Sequence, residues 1–182
     1  DIDWHVFPEG TIHDVFAAPS GGLARVRLGN PDAPRVVLVS GVAGSKEDFI
    51  LLFPLFAAAG YLVESYDLAG HYASVDAGPR NLDPPRADYD YRLFIDDLIA
   101  ILEDGSTPAH VLGYSFAGLV AELALTERPD LFASLTLMSA PPATGSRWGA
   151  LAYPNYRRFW LANLARVYGL QFRFIGGPWL VT

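Results

Sequence analysis

The sequence predicts an α/β fold, a mostly parallel twisted sheet with helices on both faces. Three observations predict it. Short β-branched runs alternate with longer helical patterns along most of the 182 residues. One strand runs straight into a helix through Gly113-Tyr114-Ser115-Phe116-Ala117. Hydrophobic residues make up 51% of the chain and charged residues 18%, enough for a sizeable core and too apolar for intrinsic disorder.

The elements follow in order. Residues 12–17 and 23–28 read as a hairpin joined by Pro19-Ser20-Gly21-Gly22. Residues 35–40 form a buried strand between Pro34 and Gly41. A helix is expected from Ser45, where Ser45 and Asp48 can form a capping pair, through Phe49, Leu52 and Phe56 to Gly60. Pro54 lies inside it as a kink or a restart. Residues 61–66 are the next strand, and residues 67–90 a long loop rich in Gly, Pro and Asp. Tyr91, Phe94, Ile95, Leu98, Ile101 and Leu102 recur at helical spacing until Gly105. Residues 109–113 are a strand, 116–127 a helix stopped by Pro129, and 132–139 another strand. Beyond Pro141-Pro142 the pattern changes. There Tyr156, Phe159, Trp160, Leu164, Val167 and Tyr168 form one helical stripe.

Composition excludes several function classes. A net charge of −7 argues against a nucleic-acid surface. The charge is uneven: residues 131–182 contain five arginines and no acid, so that stretch is +5 and the rest −12. Without cysteine there is no disulfide, thiolate zinc site or cysteine nucleophile, and the compartment stays open. His5, His13, His71 and His110 show no metal-binding pairing, so no metal and no cofactor is expected. The most apolar stretch, residues 49–63, is broken by Pro54 and Gly60, and no membrane span is expected.

The stretch Ala109 to Gly118 carries the chemistry. In a G-x-S-x-G turn the strand-to-helix corner imposes strained backbone angles on the serine and lifts its hydroxyl above the sheet. The flanking residues must be small because strand and helix pass close together. Gly113 meets that demand, and Ala117 departs from the second glycine by one methyl. The helix that follows points its free amides and positive dipole at Ser115, where negative charge develops in acyl transfer.

These motifs resemble the α/β-hydrolase superfamily, especially its esterase, lipase and aminopeptidase-like branch. Residues 35–45 look like its strand and oxyanion loop, Asp67 to Ser74 like its D-x-x-G-H-G-x-S loop, and Gly113 to Gly118 like its nucleophile elbow. The likeness covers roughly residues 23–140. It implies that Ser115 is the catalytic nucleophile, that the backbone N–H groups of Val42 and Phe116 hold the oxyanion, and that Gly113, Ala117 and Gly118 support the elbow. Ser40 stands where the family has His, a side chain that helps brace the oxyanion loop. Tyr72 and Ala117 stand where it has Gly. His71 is structural in that family, and His110 reads as a satisfied core residue.

In this fold the triad runs Ser, then Asp or Glu, then His. No histidine follows Ser115, and the only acids after it are Glu122, Glu127 and Asp130, on the elbow helix and its exit. The chain opens on Asp1 and closes in an apolar run. It is therefore expected to be the N-terminal portion of a larger hydrolase, without the C-terminal strands. Residues 1–146 would form the core, and residues 147–182 would begin a lid. A complementary C-terminal segment or second chain would supply the base and the acid. Two functions are weighed. One is a serine hydrolase acting on a small-molecule ester, amide or related acyl substrate. The other is a non-catalytic binding module of the same fold.

Overall fold

The computed structural model describes residue 3 and residues 6–140. Alternation along one central strand sets the two faces of its sheet. In β3 (Arg35–Val39) every residue is buried. Val36 and Leu38 pack with Val26, Phe49, Phe53 and Val63 on one side. Val37 and Val39 join Leu23, Val111 and the residues of two long helices on the other. Successive side chains of a strand point to opposite faces, so one β-branched run serves both layers.

The other strands are β1 (Ile12–Ala18), β2 (Gly21–Leu28), β4 (Leu62–Tyr66), β5 (Ala109–Tyr114) and β6 (Phe132–Met138). They lie in the order β1-β2-β4-β3-β5-β6. The hairpin β1–β2 and the β2–β4 pair are antiparallel. The pairs β3–β4, β3–β5 and β5–β6 are parallel. Parallel neighbours need crossovers, which α1 (Phe53–Ala58), α2 (Tyr91–Glu103) and α3 (Phe116–Glu127) provide. Phe53 of α1 packs on the Val36 face, while α2 and α3 pack on the Val37 face, so both faces carry helices. No helix among the described residues is long and apolar enough to cross a membrane.

The expected helix over residues 45–60 is two shorter pieces. A 3-10 turn covers Lys46–Phe49, and α1 begins only at Phe53, with Pro54 in its first turn. Proline has no N–H, and its ring clashes with the carbonyl four residues back, so it opens a helix and cannot continue one. The Ser45 side chain makes no cap bond, although a backbone bond at Ser45 does reach the Asp48 carboxylate. By contrast α2 is capped as its sequence suggests: the Asp90 carboxylate accepts from the Leu93 N–H at 3.0 Å.

The far end of α2 is tied to the sheet by a buried ion pair. Arg35 donates to the Leu102 and Ile101 carbonyls at 3.0 and 2.9 Å and to Glu64 Oε1 at 2.9 Å. Its guanidinium thereby binds last-turn carbonyls at the negative end of the helix dipole. A Cβ at Gly105 would collide with that guanidinium, which is why the chain turns there on glycine.

Because β3 to β6 run parallel, their C-terminal ends share one edge. Four non-glycine residues have positive φ among the described residues: Ala43, Tyr72, Ser115 and Ser139. Ala43, Ser115 and Ser139 closely follow β3, β5 and β6, and Tyr72 lies in the loop that leaves β4. Backbone strain is thus gathered on the edge where open α/β sheets bind ligands.

Candidate active site

Ser115 sits between β5 and α3 with φ 54° and ψ −119°. This is a region that L-residues rarely occupy, and it is held from both sides. The Ser115 N–H donates to the Met138 carbonyl of β6 at 2.9 Å, and the Ser115 carbonyl accepts from the Gly118 N–H at 3.0 Å. A Cβ at Gly113 would lie 2.7 Å from the Ala117 carbonyl oxygen and 2.7 Å from Gly118 Cα. One at Gly118 would collide with Ala140. The fully buried Ala117 shows that its extra methyl fits. Phe116 stacks on Tyr91 and meets Phe94 edge-on, which fixes the first turn of α3 against α2. As the first residue of α3, Phe116 keeps a free amide.

The loop after β3 lies against this serine. A Cβ on Gly41 would be 3.0 Å from Ser115 Cβ and 3.5 Å from its Oγ. The Gly44 N–H donates to the Gly41 carbonyl at 3.0 Å, closing a turn in which Ala43 takes φ 64°. The Gly41–Val42 peptide is trans, so its N–H points opposite to that engaged carbonyl, out of the turn. Among the described residues neither the Val42 nor the Phe116 amide donates a hydrogen bond. Ser40, just before the turn, is fully buried, and its Oγ has no partner among the described residues.

A third loop steadies the second. Asp67, fully buried at the end of β4, accepts from the Lys46 backbone N–H and from Lys46 Nζ, both at 2.9 Å, and from the Ala73 N–H at 3.2 Å. Burial works against the Lys46 ammonium, yet Asp67 and Glu47 together hold its pKa above the usual lysine value. Ser74 donates to the Asp67 carbonyl and accepts from the Ala24 N–H, both at 2.9 Å. The Tyr72 hydroxyl donates to the Ala43 carbonyl at 2.7 Å. Sequence reading missed the Lys46, Ala73 and Tyr72 contacts, because only the fold brings residues 43–46 beside residues 67–73.

His71, His110, Glu127, Asp130 and Asp97 are engaged elsewhere. His71 Nδ1 lies 3.1 Å from the Ala69 carbonyl within its own turn. His110 is half-buried, not core; its Nδ1 meets Ser134 Oγ at 2.8 Å, and its ring meets Tyr61 edge-on. Glu127 pairs with Arg92, and Asp130 with Arg128. Asp97, missed in the sequence, is buried on α2 and accepts from the Ser20 N–H and hydroxyl at 3.1 and 2.6 Å. Burial, with a smaller push from Asp96, raises its pKa to about 6 against the pull of the two Ser20 bonds. Among the described residues no group of three or more His, Asp or Glu could hold a metal. The readings of residues 147–182 and of His5 lie outside the described residues.

An open cleft of about 790 Å³ adjoins the elbow. Tyr114, Tyr72, Met138, Phe49 and Leu52 give it an apolar lining, and Glu47 and Asp48 add carboxylates. Its volume falls within the range of small-ligand sites.

Comparison with known proteins agrees with this fold. Residues 36–182 match the model of the alpha/beta hydrolase family. The chain is 36% identical over 87 residues to a Karrikin insensitive 2 receptor IA of Petunia hybrida, a match covering 45% of this chain and 31% of the receptor. It is similar to an epoxide hydrolase from an endophytic Streptomyces, with TM-score 0.64 and 28% identity over 75% of this chain and 39% of that one. It is also similar in fold to a thioesterase domain from the curacin biosynthetic pathway, with TM-score 0.65 and 20% identity over 79% of this chain and 52% of that one. The chain therefore spans about a third of the curated relative and about half or less of these two structures.

Proposed function

The chain belongs to the alpha/beta hydrolase family, and from that premise we propose that it carries the nucleophile half of a serine hydrolase. The observation that carries this reading is the strained Ser115 with the Gly41 backbone pressed against it. A serine in an ordinary turn has no need of φ 54° or of so close an approach from a second loop.

Ser115 Oγ attacks the carbonyl carbon of an ester, thioester or amide. Its proton passes to a base, and the carbonyl electrons move onto oxygen. The Val42 and Phe116 amides hold that oxyanion, the second aided by the dipole of α3. Collapse expels the leaving group and leaves an acyl-Ser115 ester, which water then cleaves. No histidine follows Ser115, so the base and the acid that orients it come from residues outside this chain, in a further segment or a second chain.

The likeness to an epoxide hydrolase does not transfer its substrate. A carboxylate that opens an epoxide forms an ester, which water can cleave. Ser115 would form an ether, which it cannot. Acyl transfer is therefore the chemistry that suits a serine here.

A second reading is favoured by the 36% identity to a protein named as a receptor. In it the same pocket binds a small ligand without turnover. Pre-steady-state hydrolysis of an aryl ester by the full-length protein separates the two. The hydrolase reading expects a burst of one phenolate per Ser115, lost in Ser115→Ala. A protein that binds the ester analogue but gives neither burst nor adduct belongs to the second reading.

A further inference from the structure

We propose that Tyr72 is a positioning residue for the oxyanion loop, doing from the neighbouring loop what the buried Ser40 does not do. This rests on the reading of Ser115 as nucleophile and of the Val42 amide as an oxyanion donor.

Tyr72 has φ 41°, in the left-handed region that favours glycine, and glycine is the residue that the resemblance places here. A bulky aromatic there is strained, and the residue is 59% exposed, so burial does not repay the strain. What the side chain gains is one directed contact, the 2.7 Å hydrogen bond from its hydroxyl to the Ala43 carbonyl. Ala43 is itself left-handed and lies inside the turn whose first peptide carries the Val42 N–H. With Gly41 held by the Gly44 N–H and Ala43 held by Tyr72, both flanking carbonyls of the turn are fixed.

Asp67 makes this bond the second of two rungs between the loops. Its carboxylate takes the Lys46 N–H on one side and the Ala73 N–H on the other. Residue 73, next to Tyr72, and residue 46, three beyond Ala43, are thus tied to one buried group. The first rung is buried and sets the distance between the loops. The second is exposed and sets the rotation of the turn. Meanwhile Ser40 Oγ, directly before the turn, has no partner among the described residues. The strain at Tyr72 and the gain from one exposed hydrogen bond are of similar size. Removing the whole side chain, as in Tyr72→Gly, therefore moves geometry more than stability.

The test uses the full-length protein, an aryl ester and an arylboronic acid, which forms a tetrahedral adduct on an activated serine. Tyr72→Phe is expected to lower kcat roughly tenfold, short of the roughly 10²–10³ for losing a donor outright. KM should stay within about twofold, and boronate affinity should fall by the same factor as kcat. Tyr72→Gly, which relieves the left-handed backbone, should lose the same factor in kcat with no fall in melting temperature. A merely structural tyrosine would instead make activity follow stability. Wild-type boronate binding with Tyr72→Phe unchanged in kcat and affinity overturns this proposal alone. A wild-type protein that forms no boronate adduct at Ser115 overturns the Ser115 reading and this proposal with it.

Discussion

Gly41 and Ser115 approach so closely that a Cβ on Gly41 would lie 3.0 Å from Ser115 Cβ and 3.2 Å from the Tyr114 carbonyl oxygen. One of those neighbours is backbone at the elbow, so the loop rather than the elbow must yield. Gly41→Ala is expected to slow acylation about tenfold, and Gly41→Val by roughly 10²–10³, as when an oxyanion donor is lost. Both variants should keep the wild-type melting temperature within a few degrees. Acylation rates from intact mass after exposure to an aryl ester check this. A Gly41→Val protein that acylates at the wild-type rate would place the oxyanion donors elsewhere.

Gly113 presents the stricter limit. Its absent Cβ would meet the Ala117 carbonyl oxygen, Gly118 Cα and Gly118 N at 2.7 to 2.8 Å, all backbone atoms of α3. Nothing there can rotate aside, so β5 and α3 must separate. Gly113→Ala should destabilise the protein by about 1–3 kcal/mol, the usual cost of overpacking. It should also remove activity by displacing Ser115. Urea unfolding monitored by far-UV circular dichroism gives the number; an unchanged midpoint contradicts the packing described here.

How much of this was legible in the sequence depends on the range of the contacts. The elbow was legible because close approach over six residues demands small side chains, and Gly113, Ala117 and Gly118 are small. The β3 run and the β1–β2 hairpin were legible because burial and turn chemistry are local. Of the two readings of Pro54, kink or restart, the structure takes the restart: α1 opens there, and residues 46–49 form a separate 3-10 turn. Other features were not legible at all. Asp97 reaches Ser20 across 77 positions, and Tyr72 reaches Ala43 across 29, so no local periodicity records either bond. Positive φ at Tyr72 had only an indirect signal, the glycine that the resemblance places there, since tyrosine itself carries no preference for it.

Asp97 gives a pH dependence with a definite sign. Its folded pKa of about 6 lies above the ordinary 3.8, chiefly through burial. Between those values the unfolded chain releases a proton that the folded protein keeps, so stability falls as pH rises from about 4 to 6 and is flat in this respect above it. The gap corresponds to about 3 kcal/mol at about 1.4 kcal/mol per pH unit. Asp97→Asn can still accept from the Ser20 N–H and can donate to its hydroxyl, without a buried charge. Urea unfolding of both proteins at pH 4, 5, 6 and 7 should show the variant gaining on the wild type across this window. A constant difference between the two curves would mean that Asp97 does not titrate there.

The account rests on Ser115 being the activated nucleophile, and covalent labelling tests that most directly. The full-length protein is treated with a fluorophosphonate, which phosphonylates a serine only where an oxyanion site and a base activate it. Peptide mapping by mass spectrometry then locates the adduct. The expected result is one adduct per protein, on the peptide containing Ser115, and none in a folded Ser115→Ala variant. An adduct that persists in Ser115→Ala, or a wild-type protein that stays unlabelled while hydrolysing an aryl ester, would contradict the account.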